Sequence, residues 1–436
     1  MKTAGIDLGT TTISAVVADA ESGKLILSKT EPNVGFIPNR EKWVREQNAD
    51  EIIGRAIRLL DMITSQFPDI AAVGITGQMH GFLYTDAQGN AVSPLFTWQD
   101  RRGDQREFDG KSICEIAYIK YQEEIHAGYA LATHLYNHKK GIVPVGAAGI
   151  YTIMDYLCMK LTGKTKMLIH ASNADSFGFF NMKSNTFQKE RLEQEGVNTA
   201  LLPDVTPDIC IMGSYRDIAV YLPIGDNQAG FLGSVKNAHS DILVNVGTGG
   251  QVTAMTEGII YGRNIETRPL TGNRHIVVGA SLCGGRAYAM LNRFFREYLR
   301  AGGYDDKDQY EVMDTLASAC FSQKCELPHV ITTFAGTRDE PETRGAILEL
   351  TENNFTPAAI ILGMLTGMSE ELYRYYLTMR KGGLGRKKRI VASGNGIRKN
   401  STLQQVICSK FEMPLSLAEH EEEAAYGAAM LYRYAS

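Results

Sequence analysis

The sequence predicts an α/β protein made of two similar halves. Apolar strand-like runs alternate with amphipathic helix-like segments along the 436 residues, a pattern typical of α/β domains. A hairpin signal near the N-terminus recurs in the second half of the chain. Glycine is abundant (43 residues) and proline scarce (13 residues), which indicates tight turns rather than disorder. The length suffices for two large domains, each with its own core.

In the first half, apolar runs over residues 3–6 and 13–18 flank a glycine-containing polar turn and predict a β-hairpin. The remaining spacing predicts helices over residues 51–65 and 151–161 and strands over residues 70–76 and 81–85.

In the second half, residues 242–245 and 251–255 predict another hairpin. Further strands are predicted over residues 274–279 and 389–392, and helices over residues 356–378, 403–408 and 422–435. Aligning Gly9 with Gly247 places Asp7 on Asn245 and Thr10 on Thr248, which indicates an internal duplication. With a hinge near residues 233–239, the expected domains are residues 1–235 and 236–436.

Composition excludes several classes of function. A net charge of −4 excludes a surface that binds nucleic acid or anionic lipid by charge alone. The longest apolar stretch, residues 358–368, is shorter than the ~20 residues that span a bilayer. Seven scattered cysteines match neither a disulfide framework nor a zinc site. We therefore expect a cytoplasmic protein with reduced thiols, no nucleic-acid partner and no membrane partner; a homodimer stays open.

The two glycine–threonine turns are candidate phosphate-binding sites. A turn without bulky side chains lets backbone N–H groups and threonine hydroxyls approach a phosphate. Asp7 could hold Mg²⁺ directly or through water. One such turn is more often an ordinary hairpin, but two favour a nucleotide cleft between domains. The candidate residues are Asp7, Gly9, Thr10, Thr11, Thr12, Gly247, Thr248 and Gly249.

Asp226 is the candidate for proton transfer. It follows an apolar run over residues 220–224 and a glycine, where a helix begins. A carboxylate there could accept the proton of a hydroxyl as a general base. Spacing alone equally allows a simple helix N-cap.

Three further segments offer polar groups for a small ligand. Gln78, Met79 and His80 lie between two glycines, and amide and imidazole groups suit a polyhydroxylated ligand. Trp98 with Asp100 and Arg101 could form a sugar platform, although a core tryptophan followed by solvated charges is the simpler interpretation. The turn Gly394-Asn395-Gly396 could admit a base or ribose, although a plain strand-to-helix loop would look the same.

In this order, the motifs resemble those of the FGGY family of carbohydrate kinases. They are Asp7-Leu8-Gly9-Thr10-Thr11, Gly77-Gln78-Met79-His80-Gly81, Trp98-Gln99-Asp100-Arg101, Gly225-Asp226, Val246-Gly247-Thr248 and Ser393-Gly394-Asn395-Gly396. Each motif is short, but six in this order span nearly the whole chain. The resemblance implies two actin-like (ribonuclease H-like) ATPase domains with a cleft between them.

The resemblance also implies a role for each candidate residue, with ATP and Mg²⁺ as cofactors. Asp226 corresponds to the catalytic base and, with Asp7, to the metal site. The two glycine–threonine turns correspond to phosphate loops, and Gly394, Asn395, Gly396 and Asn400 to the adenosine side. The sugar site corresponds to Gln78, Met79, His80, Trp98, Asp100, Arg101 and Asp226. Asn395 interrupts a loop that commonly has three consecutive glycines, and Arg102 is expected to be solvated.

The expected reaction is phosphorylation of a ketose by ATP, with sedoheptulose the first choice (giving sedoheptulose 7-phosphate) and xylulose the second. An actin-like or chaperone-like ATPase would fit the two phosphate turns equally well. It would not need Gln78, Trp98 or a base at Asp226. A catalytically silent sugar sensor is the third alternative, against which the intact Asp226 argues.

Overall fold

The computed structural model describes residues 1–337 and 339–435, which fold into two compact units. The first unit comprises Met1–Gly233, Arg268–Arg274 and the C-terminal segment from Glu422 onward. The second comprises Ser234–Thr267 and His275–Glu421. Ser436, the last residue of the predicted second domain, lies outside the described residues, as does Arg338.

The first unit is built on a six-stranded sheet that contains the predicted first hairpin. In spatial order its strands are Ile211–Tyr215, Ile218–Tyr221, Ile70–Gly77, Lys2–Leu8, Thr12–Asp19 and Leu25–Pro32. Lys2–Leu8 pairs antiparallel with Thr12–Asp19 and parallel with Ile70–Gly77. Its helices are Ala49–Gln66, Ile113–Tyr121, Ala130–Lys139, Ile153–Thr162, Ala171–Asp175, Lys189–Gln194, Asp226–Ser234 and Glu423–Ala429, with 3₁₀ turns at Arg102–Asp104, Thr199–Leu201 and Leu431–Arg433.

Short strands complete the first unit beside this sheet. They form a three-stranded sheet of Phe36–Ile37, Glu46–Gln47 and Leu95–Phe96 and the pairs Leu83–Thr85 with Gly149–Tyr151, Ile169–His170 with Val205–Thr206, and Phe180–Asn181 with Thr186–Phe187. An aromatic core that includes Phe82, Phe177 and Phe179 fills this part of the unit, separately from the core of the main sheet.

The second unit contributes most of another six-stranded sheet. In spatial order its strands are Ile265–Thr271, Arg274–Ser281, Gly250–Thr256, Asp241–Val246, Arg389–Ser393 and Leu415–Leu417, and His329–Ile331 pairs separately with Ala346–Leu348. Its helices are Gly285–Ala301, Tyr310–Gln323, Pro357–Lys381, Asn395–Arg398 and Ser401–Phe411. The long helix Pro357–Lys381 carries much of the core, because apolar residues recur along it at helical spacing.

The two sheets follow one plan. In each, a third antiparallel strand lies beyond the second strand of the hairpin, and two parallel strands lie beyond the first. The internal duplication predicted from the two glycine–threonine turns is therefore confirmed.

Most predicted elements are present with shifted ends. The helix predicted over residues 51–65 is Ala49–Gln66, because the Asn48 side chain accepts the Glu51 N–H at 3.1 Å and caps it earlier. The helix predicted over residues 422–435 ends at Ala429 and continues as the 3₁₀ turn Leu431–Arg433. Within the described residues, no helix combines the length and apolarity needed to span a membrane.

The C-terminal helix Glu423–Ala429 belongs to the first unit, whereas the sequence assigned residues 236–436 to a second domain. Its backbone lies directly against glycines of the first unit. A Cβ at Gly5 would lie 1.9 Å from Ala425 O, and one at Gly74 would lie 1.9 Å from Ala428 O. Small residues on both surfaces thus let this helix bury its apolar face on the first sheet, which chain order could not reveal.

Gly427 tests this close packing, since a Cβ there would lie 1.8 Å from Ala229 O. Gly427→Ala should lower the free energy of unfolding by about 1–3 kcal/mol, because two backbones must separate. Gly54→Ala is the matched control within helix Ala49–Gln66, where the nearest atom is the flexible end of Arg58 at 3.4 Å. It should instead stabilise by about 0.5–1 kcal/mol. Urea unfolding of both variants measures this; equal effects would contradict the packing argument.

Candidate active site

The turn of the first hairpin is shaped by a glycine and held by one asparagine. A Cβ at Gly9 would lie 2.8 Å from Thr12 O, so the turn requires glycine. Asn33 Nδ2 donates to Gly9 O at 2.9 Å, and the Asn33 N–H donates to Thr11 O at 2.8 Å. Thr11 and Thr12 are exposed, so their hydroxyls and the turn backbone face solvent. This surface can accept an anion.

Thr10 lies between this turn and the predicted sugar platform. Trp98 Nε1 donates to Thr10 Oγ1 at 2.9 Å, and Thr10 Oγ1 donates to Gln78 Oε1 at 3.4 Å. Gln78 is buried, and its backbone N–H donates to Leu8 O at 3.0 Å. Trp98 is 47% exposed, so the alternative of a core tryptophan is wrong. The Thr10 hydroxyl is engaged within the protein, whereas we had expected it to face phosphate.

His80 and Met79 are held in fixed positions next to this group. His80 has a positive φ of 70°, and its backbone N–H donates to Ser176 Oγ at 3.1 Å. Its Nδ1 lies 3.0 Å from Ser176 O, and since a carbonyl only accepts, Nδ1 carries the proton. The ring stacks on Tyr129 with centroids 4.6 Å apart. Met79 is buried and lies directly against Gly225, since a Cβ added at Gly225 would be 2.5 Å from the Met79 sulfur.

Asp226 is the first residue of helix Asp226–Ser234. Its Oδ1 accepts the Asn227 N–H at 2.6 Å, so this oxygen does serve the start of the helix. A buried histidine fixes the preceding turn: the Gly225 N–H donates to Ser172 Oγ, which lies 2.8 Å from His170 Nδ1. Burial lowers the pKa of His170 to about 4, so the ring is neutral and can accept.

Asp7 and Asp226 interact electrostatically in the first unit. Burial, then the charges of Asp226 and Glu422, raises the pKa of Asp7 to about 7. Burial also raises the pKa of Asp226, against the opposing influence of Asn227 and Arg268. Among the described residues no hydrogen-bond partner reaches the buried Asp7 Oδ1. Two neighbouring acids with raised pKa values are typical of a functional site.

These carboxylates fit a magnesium site that phosphate would complete. Within the described part of the chain, no cluster of three or more His, Cys, Asp or Glu side chains could hold a metal unaided. Mg²⁺ keeps several waters and commonly takes one or two protein carboxylates together with phosphate oxygens. The unpartnered Asp7 Oδ1 is the kind of donor such a hydrated ion requires.

Asp100 is not available in the way the sequence indicated. It is fully buried: Oδ1 accepts from Arg102 Nε at 2.7 Å, and Oδ2 accepts from Arg102 Nη2 and the Arg45 N–H at 3.0 Å each. Arg102 is 5% exposed, so the expectation of a solvated Arg102 is wrong. Adjacent charges in sequence gave no sign that one would fold back onto the other. Arg101 is exposed and pairs with Asp104 at 2.6 Å.

The turn of the second hairpin abuts a helix start in the second unit. The Gly247 N–H donates to Gly249 O at 3.0 Å within the turn. The Gly285 N–H donates to Gly247 O at 2.9 Å, and the Arg286 N–H donates to Thr248 O at 3.0 Å. A Cβ at Gly285 would lie 2.3 Å from Gly247 O, so only glycine allows this contact. The turn thereby meets the start of helix Gly285–Ala301.

The third predicted loop lies in the same unit. Gly394 has a positive φ of 87°, and a Cβ at Gly396 would lie 2.7 Å from Val246 O, so both positions require glycine. The loop accommodates Asn395 between these two glycines, because this residue begins the short helix Asn395–Arg398. Asn400 Oδ1 accepts an N–H of the next helix at 2.6 Å as its N-cap.

These two loops line one cavity of about 830 Å³ that lies wholly within the second unit. Predicted residues in its wall are Gly247, Thr248, Asn395, Gly396 and Asn400. Sequence analysis missed Tyr288 and Tyr310, whose rings stack with centroids 5.9 Å apart, and Asp314. The buried Asp314 Oδ1 has no hydrogen-bond partner among the described residues. The amphipathic spacing of residues 285–301 is the signal that could have revealed this helix and Tyr288.

Comparison with known proteins identifies a family over nearly the whole chain. Residues 3–222 match the N-terminal domain and residues 243–436 the C-terminal domain of the FGGY family of carbohydrate kinases. The chain is 25% identical to the sedoheptulokinase of Mus musculus, over 98% of this chain and 96% of that protein. It is 24% identical to the gluconokinase of Bacillus subtilis (strain 168), over 99% of this chain and 87% of that protein.

Solved structures share the fold. The xylulose kinase from Rhodospirillum rubrum matches with a TM-score of 0.83 at 16% identity, over 99% of this chain and 89% of that one. The family resemblance and the expectation of two actin-like α/β domains are therefore confirmed. The family match favours a kinase over the chaperone-like ATPase considered above.

The raised pKa of Asp7 predicts how stability of the metal-free protein depends on pH. The pKa of this buried carboxyl is raised from its ordinary value of 3.8 to about 7, so its ionisation lowers the free energy of unfolding progressively as the pH rises between these two values. Asp7→Asn removes that cost, so it should stabilise by roughly 1–3 kcal/mol at pH 8 and by less at pH 5. Thermal unfolding in a chelator at both pH values measures the difference. A variant less stable than wild type at pH 8 would refute the assignment.

Proposed function

The chain belongs to the FGGY family of carbohydrate kinases, and we propose that it phosphorylates a ketose with ATP. Sedoheptulose, giving sedoheptulose 7-phosphate, is the first candidate acceptor, and xylulose is the second. The observation that most supports this proposal is the pair of buried acids, Asp7 and Asp226. They lie in the unit that also contains Gln78, Met79, His80 and Trp98. We call these four residues the acceptor platform.

Asp226 acts as the general base. It takes the proton of the attacking hydroxyl as that oxygen bonds to the γ-phosphorus of ATP and ADP leaves. Burial raises its pKa, which makes the carboxylate a better proton acceptor than an exposed aspartate. The hydrogen bonds of Asn227 and Ser172 around this turn hold the carboxylate in place.

The two turns bind the phosphates. Residues 9–12, here called the phosphate turn, offer backbone N–H groups and the exposed hydroxyls of Thr11 and Thr12. In the second turn, which consists of Gly247, Thr248 and Gly249, the exposed Thr248 offers its hydroxyl. Asp7 and Asp226 would hold Mg²⁺, which neutralises phosphate charge when bound with ATP. The Asp7 oxygen without a protein partner supports this assignment.

The nucleoside occupies the cavity of the second unit. Asn395, Gly396 and Asn400 form one wall, Gly394 precedes this wall in the same loop, and the Tyr288–Tyr310 pair provides aromatic surface. On the acceptor side, Asp100 acts indirectly, because its buried carboxylate binds Arg102 and the Arg45 N–H. Arg101 reaches solvent as a candidate for direct contact.

ADP release with Mg·ATP across sedoheptulose, D-xylulose, L-ribulose, gluconate and glycerol tests the reaction. One ketose should raise turnover well above background, and Asp226→Asn should reduce that rate about 10²–10⁴-fold. Asp109→Asn is the control, because it changes an exposed carboxylate of the same unit at a positive φ that asparagine tolerates. If no sugar stimulates release while ATP binds, the sensor alternative replaces the kinase. If gluconate or glycerol wins, the ketose assignment is wrong.

Asp314 tests the nucleoside assignment. Its buried, unpartnered oxygen should accept a hydrogen bond from a hydroxyl or amine of the nucleoside. Asp314→Asn should raise the Kd for ATP about 10-fold or more, as expected on weakening a hydrogen bond to a charged group. The KM for the sugar should stay unchanged. Calorimetry measures the Kd, with the exposed Asp305→Asn as control. An unchanged Kd would place the nucleoside elsewhere.

A further inference from the structure

Gln47 closes a ring of side-chain hydrogen bonds that no sequence motif marks. Its Nε2 donates to Thr10 O at 2.9 Å, and its Oε1 accepts from Gln78 Nε2 at 2.9 Å. Thr10 Oγ1 in turn donates to Gln78 Oε1 and accepts from Trp98 Nε1. Gln47 is fully buried, in the short strand Glu46–Gln47. Its amide therefore touches both the phosphate turn and the acceptor platform.

We propose that Gln47 is a positioning residue that couples the acceptor platform to the phosphate turn, so that an acceptor on the platform sets the geometry of that turn. This inference rests on the proposed kinase function. Gln47 itself contacts neither substrate, because it acts through Gln78 and Thr10.

The chemistry of the ring requires an amide at this position. Gln47 must donate to a backbone carbonyl and accept from another amide, and a glutamine side chain offers one donor group and one acceptor for this. Accepting from Gln78 Nε2 fixes which way the Gln78 amide faces, with Oε1 towards Thr10. That orientation lets the Thr10 hydroxyl accept the Trp98 indole N–H. A displaced Trp98 thus perturbs Thr10, the second residue of the phosphate turn.

Gln47→Met removes both hydrogen bonds while keeping the shape and length of the side chain. We expect acceptor-stimulated ATP turnover, divided by turnover without acceptor, to fall about 10-fold or more, because loosened reacting groups lose orientation. Gln188→Ala is the control: it removes an amide that donates to Glu123 and Phe180 O in the same unit, outside the ring. It should keep the wild-type ratio.

Gln47→Glu separates the ring from a loss of packing. As a carboxylate it repels Thr10 O, but as a neutral acid its hydroxyl can donate there while the carbonyl accepts from Gln78. Burial favours the neutral form, so the variant-to-wild-type ratio of stimulated turnover should rise as pH falls from 8 to 6. The neighbouring charges, Glu46 and Arg102, are paired with each other. They are present in the variant and in wild type alike, so they cancel in the ratio. A ratio that does not change with pH would mean that Gln47 only fills space.

A readout independent of turnover comes from the two tryptophans, Trp43 and Trp98. With 5-fluorotryptophan incorporated, Gln47→Met should shift the ¹⁹F resonance of Trp98 and leave that of Trp43, while Gln188→Ala leaves both. Trp43→Phe assigns the signals. An unmoved Trp98 resonance, or a wild-type coupling ratio in Gln47→Met, overturns the proposal. If no acceptor stimulates wild type, the proposed function fails, and the ¹⁹F result still decides whether Gln47 couples the two groups.

Discussion

The constraint on which the first unit depends is the burial of carboxylates that have few protein partners. Asp7 lies near the end of the first strand of the hairpin, and burial together with the charges of two other acids raises its pKa to about 7. A chain that folds around such a group must compensate elsewhere. Glycine-dependent backbone contacts and the buried Asp100–Arg102 pair contribute rigidity to the unit that contains these acids.

Close backbone packing provides much of that rigidity. The C-terminal helix lies against the first sheet at Gly5 and Gly74, and its own Gly427 meets the helix that begins at Asp226. Glycine is entropically costly in helices and strands, so its repeated use there reflects the need for contact between backbones. The same segment brings Glu422 near Asp7, where its charge helps to raise the pKa of that acid. The C-terminal segment therefore contributes both to the packing of the first unit and to the electrostatic environment of Asp7.

The sequence was most informative where local chemistry and structure coincide. Gly9 and Gly247 could be recognised because a tight hairpin turn needs glycine within a few residues of an apolar run, and that pattern is local. Gln47, Tyr288 and Asp314 could not be recognised, because their roles arise from contacts between elements far apart in the chain. Arg102 was misjudged for the same reason: charged neighbours in sequence look solvated until tertiary structure buries them.

The duplicated hairpins differ in charge although their backbone plans are alike. Asp7 corresponds to Asn245, whose Nδ2 donates to Ser393 Oγ at 2.7 Å instead of leaving an oxygen without a partner. The second turn thus offers the same backbone cradle without a second buried carboxylate. An anion at the second turn would therefore meet a neutral amide, whereas an anion at the first turn would meet Asp7 and would need a cation between them. A carboxylate at position 245 would repel such an anion, so the two turns, although alike in backbone plan, differ in the charge that they present.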